Sequence, residues 1–280
     1  MTDTVSDRIK AAEDGLTRTE RRIGQALLGQ YPVLGLQTLA RIAAAAHTTA
    51  PTVLRFVTKI GFANYSAFQD ALRSELQPTQ QSPLTRYAPG EADADDDFLG
   101  AFAKAASARI RASAALVQPA TLDAVCALLA DPAKPVLCVG GRFSTALAET
   151  LATYLLELRP GVASLRGQTA TWPAQLLDVT RKHVVVAFDF RRYQDDVIRF
   201  CELAAERGAD VVLFTDQWMS PNARFAKHVL VSQTATTHIY DSTAAAFVQL
   251  EAIVAGVARK IGDRSKDRLS QLEALRERLG

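Results

Sequence analysis

The sequence predicts two globular parts: an N-terminal all-α domain built around a helix-turn-helix, and a C-terminal α/β domain with a doubly wound parallel sheet. Three observations predict them. Residues 16–76 break into short amphipathic segments, each with its own start signal. From about residue 135, short apolar runs alternate with longer amphipathic ones. Between these regions, residues 77–97 turn to Pro, Gln, Ser and then acids (Glu91, Asp93, Asp95, Asp96, Asp97), with little apolar periodicity to drive packing. The expected divisions are residues 1–77 for the helix-turn-helix domain, 78–97 for a linker, 98–263 for the α/β domain and 264–280 for a terminal amphipathic helix. A chain of 280 residues with 48% hydrophobic content can supply a core to each domain.

In the first domain, Thr17 with Glu20 forms a capping-box pattern ahead of an Ile23/Leu27 face, and Thr38 can cap a short Ala-rich helix over 39–46. A turn at His47 and Thr48 leads to a second helix opened by Thr49. There Val53, Val57 and Ile60 recur at i, i+4 and i+7 and must face inward, which leaves Ala50, Thr52, Arg55 and Lys59 to point elsewhere. Small residues at the start of this helix let its backbone approach base edges, and its amino end favours a phosphate oxygen; Pro51 is tolerated in the first turn. Arg55 suits a guanine edge or a phosphate, and Lys59 a phosphate. Both are equally accounted for as solvated side chains, since helix pairs with short turns are common in all-α domains.

Charge does not decide between these readings. The net charge of the chain is +2, and residues 1–77 hold nine Lys and Arg against seven Asp and Glu, so one copy binds a polyanion weakly and a dimer is required. Gly61 ends the second helix with a left-handed cap, and Phe62, Tyr65, Phe68 and Leu72 pack a final helix beneath it.

The run Leu16-Thr17, Glu20, Ile23, Leu39-Ala40, Thr49, Thr52-Val53, Arg55-Phe56, Ile60-Gly61-Phe62, Tyr65 and Phe68 resembles, in residue types and spacing, the N-terminal domain of the RpiR/MurR family of transcription regulators. The resemblance implies binding to double-stranded operator DNA, with Thr38, Thr49, Ala50, Pro51, Thr52, Arg55 and Lys59 on the contacting face.

In the second domain, helical patterning runs from Phe98 to about Ala130. Strands are expected over 135–140, 183–188, 210–215 and 227–231. Helices are expected over 143–158, with Leu147, Leu151, Tyr154, Leu155 and Leu158 on one face, and over 195–207, with Val197, Cys201 and Ala204 inward and Gly208 as the stop. Repetition of strand, helix and strand implies a parallel sheet wrapped on both faces. Residues 242–261 are apolar almost all round, which suits the core or a subunit interface, and the last helix carries Leu269, Leu272, Leu275 and Leu279. Cys126, Cys138 and Cys201 are far apart in apolar segments, which predicts buried thiols in the cytoplasm rather than disulfides. Residues 1–10 lack an apolar h-region, and no apolar run approaches the roughly 20 residues of a membrane span, so neither secretion nor membrane insertion is expected.

Val136-Leu137-Cys138-Val139-Gly140-Gly141-Arg142-Phe143-Ser144 reads as a strand, a glycine turn and a helix start, where backbone N–H groups can hold an anion. It lacks the third glycine of a dinucleotide fingerprint, and a glycine pair there often only permits a tight turn. With residues 208–216, Ser220-Pro221 and Ala226, the region 135–260 resembles a sugar isomerase (SIS) domain. The resemblance implies a phosphorylated sugar at the carboxyl ends of the strands, with Gly140, Gly141, Arg142 and Ser144 as the first ligand loop.

The second loop departs from the family pattern. Phe188-Asp189-Phe190-Arg191-Arg192-Tyr193-Gln194 stands where the family has a Ser-rich stretch. Arg191 or Arg192, beside Asp189, replaces the hydroxyls with a charged fork, or the ligand is not a phosphosugar, or both arginines are solvated over a vestigial pocket. Trp172-Pro173 and Trp218 sit in loops, to cover a ligand or to pack the loop. The rival reading is an isomerase, for which Glu149 and His238 are the acid/base candidates; an exposed helix position and a loop position explain them without catalysis. A SIS-like module with no ligand stays open as well. The expectation is a regulator without cofactor or metal, homodimeric or homotetrameric through residues 242–261, responding to a small anionic metabolite.

Overall fold

The structure, a computed structural model, describes residues 4–29, 31–76, 97–165, 167–236 and 238–279. The chain divides into two units, Met1–Gln81 and Ser82–Gly280. Of the expected linker 78–97, only Asp97 lies among the described residues.

Among the described residues the first unit has six α-helices, α1 (Val5–Ala11), α2 (Arg18–Gly29), α3 (Val33–Leu36), α4 (Leu39–Ala45), α5 (Ala50–Lys59) and α6 (Tyr65–Leu76), with a short 3-10 turn over Glu13–Gly15. The Thr17 N–H donates to the Glu20 carboxylate at 2.8 Å and the Glu20 N–H to the Thr17 hydroxyl at 3.4 Å, so the capping box opens α2. The Thr38 hydroxyl accepts from Arg41 N–H and caps α4. A turn with His47 at φ +49° then leads to α5, and Gly61 at φ +93° ends it in the left-handed region. Ile23, Leu27, Ile42, Val53, Phe56, Val57, Phe68 and Leu72 form the buried core, which α1 completes with Val5 and Ile9.

The second unit runs α7 (Phe98–Leu116), α8 (Pro119–Ala130), β1 (Val136–Gly140), α9 (Thr145–Leu158), β2 (Val162–Ser164), α10 (Trp172–Leu177), β3 (Val184–Phe188), α11 (Asp195–Glu206), β4 (Asp210–Asp216), β5 (His228–Ser232), α12 (Ala244–Ile261) and α13 (Asp263–Leu279). All strand pairs are parallel, in the order β2-β1-β3-β4-β5. Val136, Cys138, Val184, Val186, Phe188, Val212 and Phe214 face α8, α9 and α12. The alternate residues Leu137, Val139, Val185, Ala187, Val211 and Leu213 face α11 and the Trp172 end of α10. Burial on both faces is why these strands read as continuous apolar runs.

The structure differs from the sequence reading in three places. The helical pattern from Phe98 to Ala130 is two helices, because Val117 is extended and Pro119 opens α8. β2 was not anticipated; three residues are too few to show a period. Trp172 begins a short helix with Pro173 in its first turn instead of lying in a loop. The apolar segment 242–261, read as core or subunit interface, lies in the core through Ala246, Leu250, Ile253 and Val257.

Arg159 was also not anticipated. Its guanidinium donates to the carbonyls of Leu129, Asp131 and Lys134, each at 2.7 Å, and ties the end of α8 to the approach to β1. The three cysteines are buried and unpaired, and burial pushes the Cys138 thiol up to about 12. Among the described residues no single helix is long and apolar enough to cross a membrane.

Candidate functional site

In the first unit the candidate surface is the outer face of α5. Val53, Phe56 and Val57 are fully buried. Thr49, Pro51, Leu54, Arg55 and Thr58 are exposed, and Ala50 and Thr52 half-buried. The Thr49 and Thr52 hydroxyls are hydrogen-bonded at 2.9 Å, and Arg55 Nη2 donates to Thr52 Oγ1 at 3.4 Å, which draws the guanidinium toward the amino end of the helix. Thr38 is exposed but its hydroxyl is engaged as the α4 cap. The Lys59 ammonium, expected to suit a phosphate, lies 2.7 Å from the Glu20 carboxylate. That bond, with the Thr17 N–H, holds the Glu20 carboxyl below the usual carboxylate range.

In the second unit the strand order reverses between β1 and β3. Open parallel sheets bind ligands at such a switch point, outside the carboxyl ends of the strands. The loops leaving β1 and β3 are the two that carry the expected effector residues.

In the first loop, Gly140 is required by contact: a Cβ there would lie 2.5 Å from the Ser144 carbonyl oxygen. The Ser144 hydroxyl accepts the Gly141 N–H at 2.9 Å and donates to the Phe188 carbonyl at 2.6 Å. The Arg142 N–H donates to Gln194 Oε1. These backbone groups, expected to await an anion, therefore already meet oxygens of the chain. The exposed Arg142 side chain lies over the Phe143 ring, 4.6 Å from its centroid.

In the second loop, Asp189 is 2% exposed and accepts from the Ser220 hydroxyl, the Asn222 amide at 3.1 Å and the Gln194 N–H at 3.4 Å. Burial pushes its carboxyl up to about 6, against the pull of those bonds. Asp216 at the end of β4 accepts from the Arg191 N–H, the Tyr193 hydroxyl at 2.7 Å and the Trp218 N–H at 3.1 Å, and burial likewise raises it to about 6. Burial, with Asp216 beside it, raises the Tyr193 phenol.

Arg191 is not the open fork expected of it. Its Nε donates to Asp241 Oδ2 at 2.6 Å and its Nη2 to Asp241 Oδ1, and its guanidinium lies 4.2 Å from the centroid of the Trp218 ring. Arg192 is exposed, with φ +65°.

The two loops are thus joined through Ser144 to Phe188 and Arg142 to Gln194. Gln194, Tyr193, Asp216 and Asp241 were not singled out from the sequence. The first three lie within quoted motifs, but nothing in the sequence ties Asp241 to Arg191. Trp218 packs on Arg191, and Trp172 meets Phe200 edge-on at 5.8 Å. Glu149 is on the exposed face of α9, and the His238 ring stacks on Phe102 at 5.6 Å. A surface depression of about 290 Å³ between α9 and β2, lined by Ala152, Thr153, Leu156, Val162, Ala163 and Ser164, involves neither loop.

Residues 131–259 match the SIS domain family. No curated protein matches the chain in sequence. Among solved structures, the sugar isomerase domain of an RpiR transcription factor from Sphaerobacter thermophilus is 25% identical and covers 64% of this chain and 99% of its own, with a TM-score of 0.58. The NanR protein of Vibrio vulnificus, solved in complex with ManNAc-6P, is 18% identical and covers 98% of both chains at a TM-score of 0.56, a likeness of fold. A putative sugar-phosphate isomerase from Listeria monocytogenes shares the fold at 10% identity and a TM-score of 0.50, covering 64% of this chain and 98% of its own. Residues 131–259 therefore form a SIS-type α/β domain that follows an N-terminal helical unit in the chain, and the sugar isomerase domain of an RpiR transcription factor is among the structures similar to it.

Proposed function

We propose that the protein is a transcription regulator in which residues 1–77 read operator DNA and the SIS domain within residues 98–263 binds a small anionic metabolite, a phosphosugar or a related compound, that modulates operator binding. The observation that carries this reading is α5, held by Val53, Phe56 and Val57 while Thr49, Pro51, Leu54 and Arg55 stay exposed around its amino end. A helix anchored on one face in this way offers the other to a major groove and its first N–H groups to a phosphate. Arg55 supplies a fork for a guanine edge or a phosphate. Lys59, paired with Glu20, braces α5 against α2. Two copies bring two such helices to half-sites about 34–36 Å apart, or a multiple of that, and compensate for the weak charge of one.

The effector class is supported by the switch-point loops and by the likeness to NanR, solved with ManNAc-6P. A regulator is preferred to an isomerase because Glu149 sits on an exposed helix face and His238 is stacked on Phe102, arrangements that need no catalysis.

Mobility shift with DNA from the protein's own promoter tests the reading. Arg55→Ala is expected to weaken specific binding by about 1–3 kcal/mol with the helical circular dichroism unchanged. Equal operator affinity in the variant removes Arg55 from the contacting face. Turnover of sugar phosphates with no DNA shift would replace the regulator by an isomerase.

A further inference from the structure

We infer that Asp241 occupies the position of the effector's anionic group on Arg191, so that an anion enters the switch-point crevice only by exchange with this carboxylate. The inference rests on the effector reading above and adds how that site is controlled.

Three donors of the two loops are met by the chain's own oxygens: the Gly141 N–H by Ser144 Oγ, the Arg142 N–H by Gln194 Oε1, and the Arg191 fork by both oxygens of Asp241. A planar carboxylate on a guanidinium fork is the arrangement in which Arg recognises a phosphate or carboxylate ligand. The Trp218 ring covers the guanidinium at 4.2 Å, and the Arg191 side chain is only 6% exposed. A second anion therefore cannot gather at Arg191 beside Asp241; it must replace it. An uncharged sugar lacks the charge to do so, and a dianionic phosphate has more of it than the carboxylate it displaces, so Asp241 selects for phosphorylated ligands.

The exchange also has an outlet. Asp216 is buried next to this pair and holds the Arg191 N–H, so Arg191 stays in place while the Asp241 carboxylate, whose side chain is 18% exposed, turns out to water. It sits in the same loop as His238, stacked on Phe102 of α7, and Tyr240, edge-on to Phe143 of the first loop at 6.0 Å. Anion entry at Arg191 thus loosens a segment that touches both α7 and the glycine loop.

Titration of the full chain with inorganic phosphate at constant ionic strength tests this, using the wild type, Asp241→Asn and Arg191→Gln, each first checked for an unchanged urea midpoint. Asp241→Asn is expected to bind phosphate at least tenfold more tightly than the wild type, and Arg191→Gln to lose binding. Equal affinity in the wild type and Asp241→Asn, with loss in Arg191→Gln, overturns the exchange and leaves the effector reading standing. Phosphate binding by none of the three overturns both. Hydrogen exchange of the wild type gives a second readout: phosphate is expected to speed exchange at residues 238–242 several-fold, and unchanged or slower exchange there overturns the proposal.

Discussion

A carboxyl group enclosed by a serine, an asparagine and a backbone amide holds its proton more tightly than one in water, because desolvation opposes its ionisation more than three hydrogen bonds favour it. This is the state of Asp189, and Asp216 repeats it one strand away. Both titrate near 6, against about 3.9 in an unfolded chain. Between those values the folded state binds more protons than the unfolded state, so stability is highest below pH 4 on this account and is lost as pH rises through 6. Asp189→Asn removes one of the two ionisations. Unfolding free energies from urea titrations at pH 4.5 and 7 are expected to lie closer together in the variant than in the wild type, by on the order of 2 kcal/mol; an unchanged difference would show that Asp189 does not carry the effect. Residue types at this site were legible, but their pairings were not. Arg191 stood out as a cation in a ligand loop, yet its partner Asp241 is 50 residues away in a segment without periodicity. The acidic partner of Lys59, Glu20, was likewise read only as a cap.

The elements were legible where a period or a start signal was strong. β1, β3, β4 and β5 showed themselves as apolar runs because helices cover both faces of the sheet, and α2, α4 and α5 through Thr17, Thr38 and Thr49. α7 and α8 merged in the reading since both are Ala-rich, and Pro119 is compatible with the first turn of a helix as well as with a break. Gly140 shows how tightly one junction is built. Its backbone lies against the Ser144 carbonyl and the Thr145 nitrogen, where α9 turns away from β1. Gly140→Ala would place a methyl 2.5 Å from that carbonyl, and backbone cannot swing aside as a flexible side chain does. The start of α9 must shift, which weakens the Ser144 bond to Phe188 and costs about 1–3 kcal/mol. A lowered urea midpoint with reduced anion binding is the expected result, and a variant as stable as the wild type would mean that the junction yields freely.

At the scale of the whole chain, the two units keep separate cores. One is the all-helical cluster centred on Ile23, Phe56 and Phe68; the others lie on the two faces of the sheet, and no residue belongs to both units. In the sequence, the expectation of two units rests most directly on the change of composition at 77–97. Each core is lined by its own side chains, so a separate two-state transition is expected for each unit. Phe56 is fully buried on the inner face of α5, and Phe56→Ala opens a cavity worth about 3–5 kcal/mol. Calorimetry of the full chain is expected to resolve two transitions. In Phe56→Ala the transition of the helical unit falls or disappears while that of the sheet unit stays within error of the wild type. Since α5 is also the proposed DNA-contacting helix, the same variant should lose operator binding and keep phosphate binding. A single transition that moves as a whole, or phosphate affinity that falls with the helical unit, would show that the two cores depend on each other.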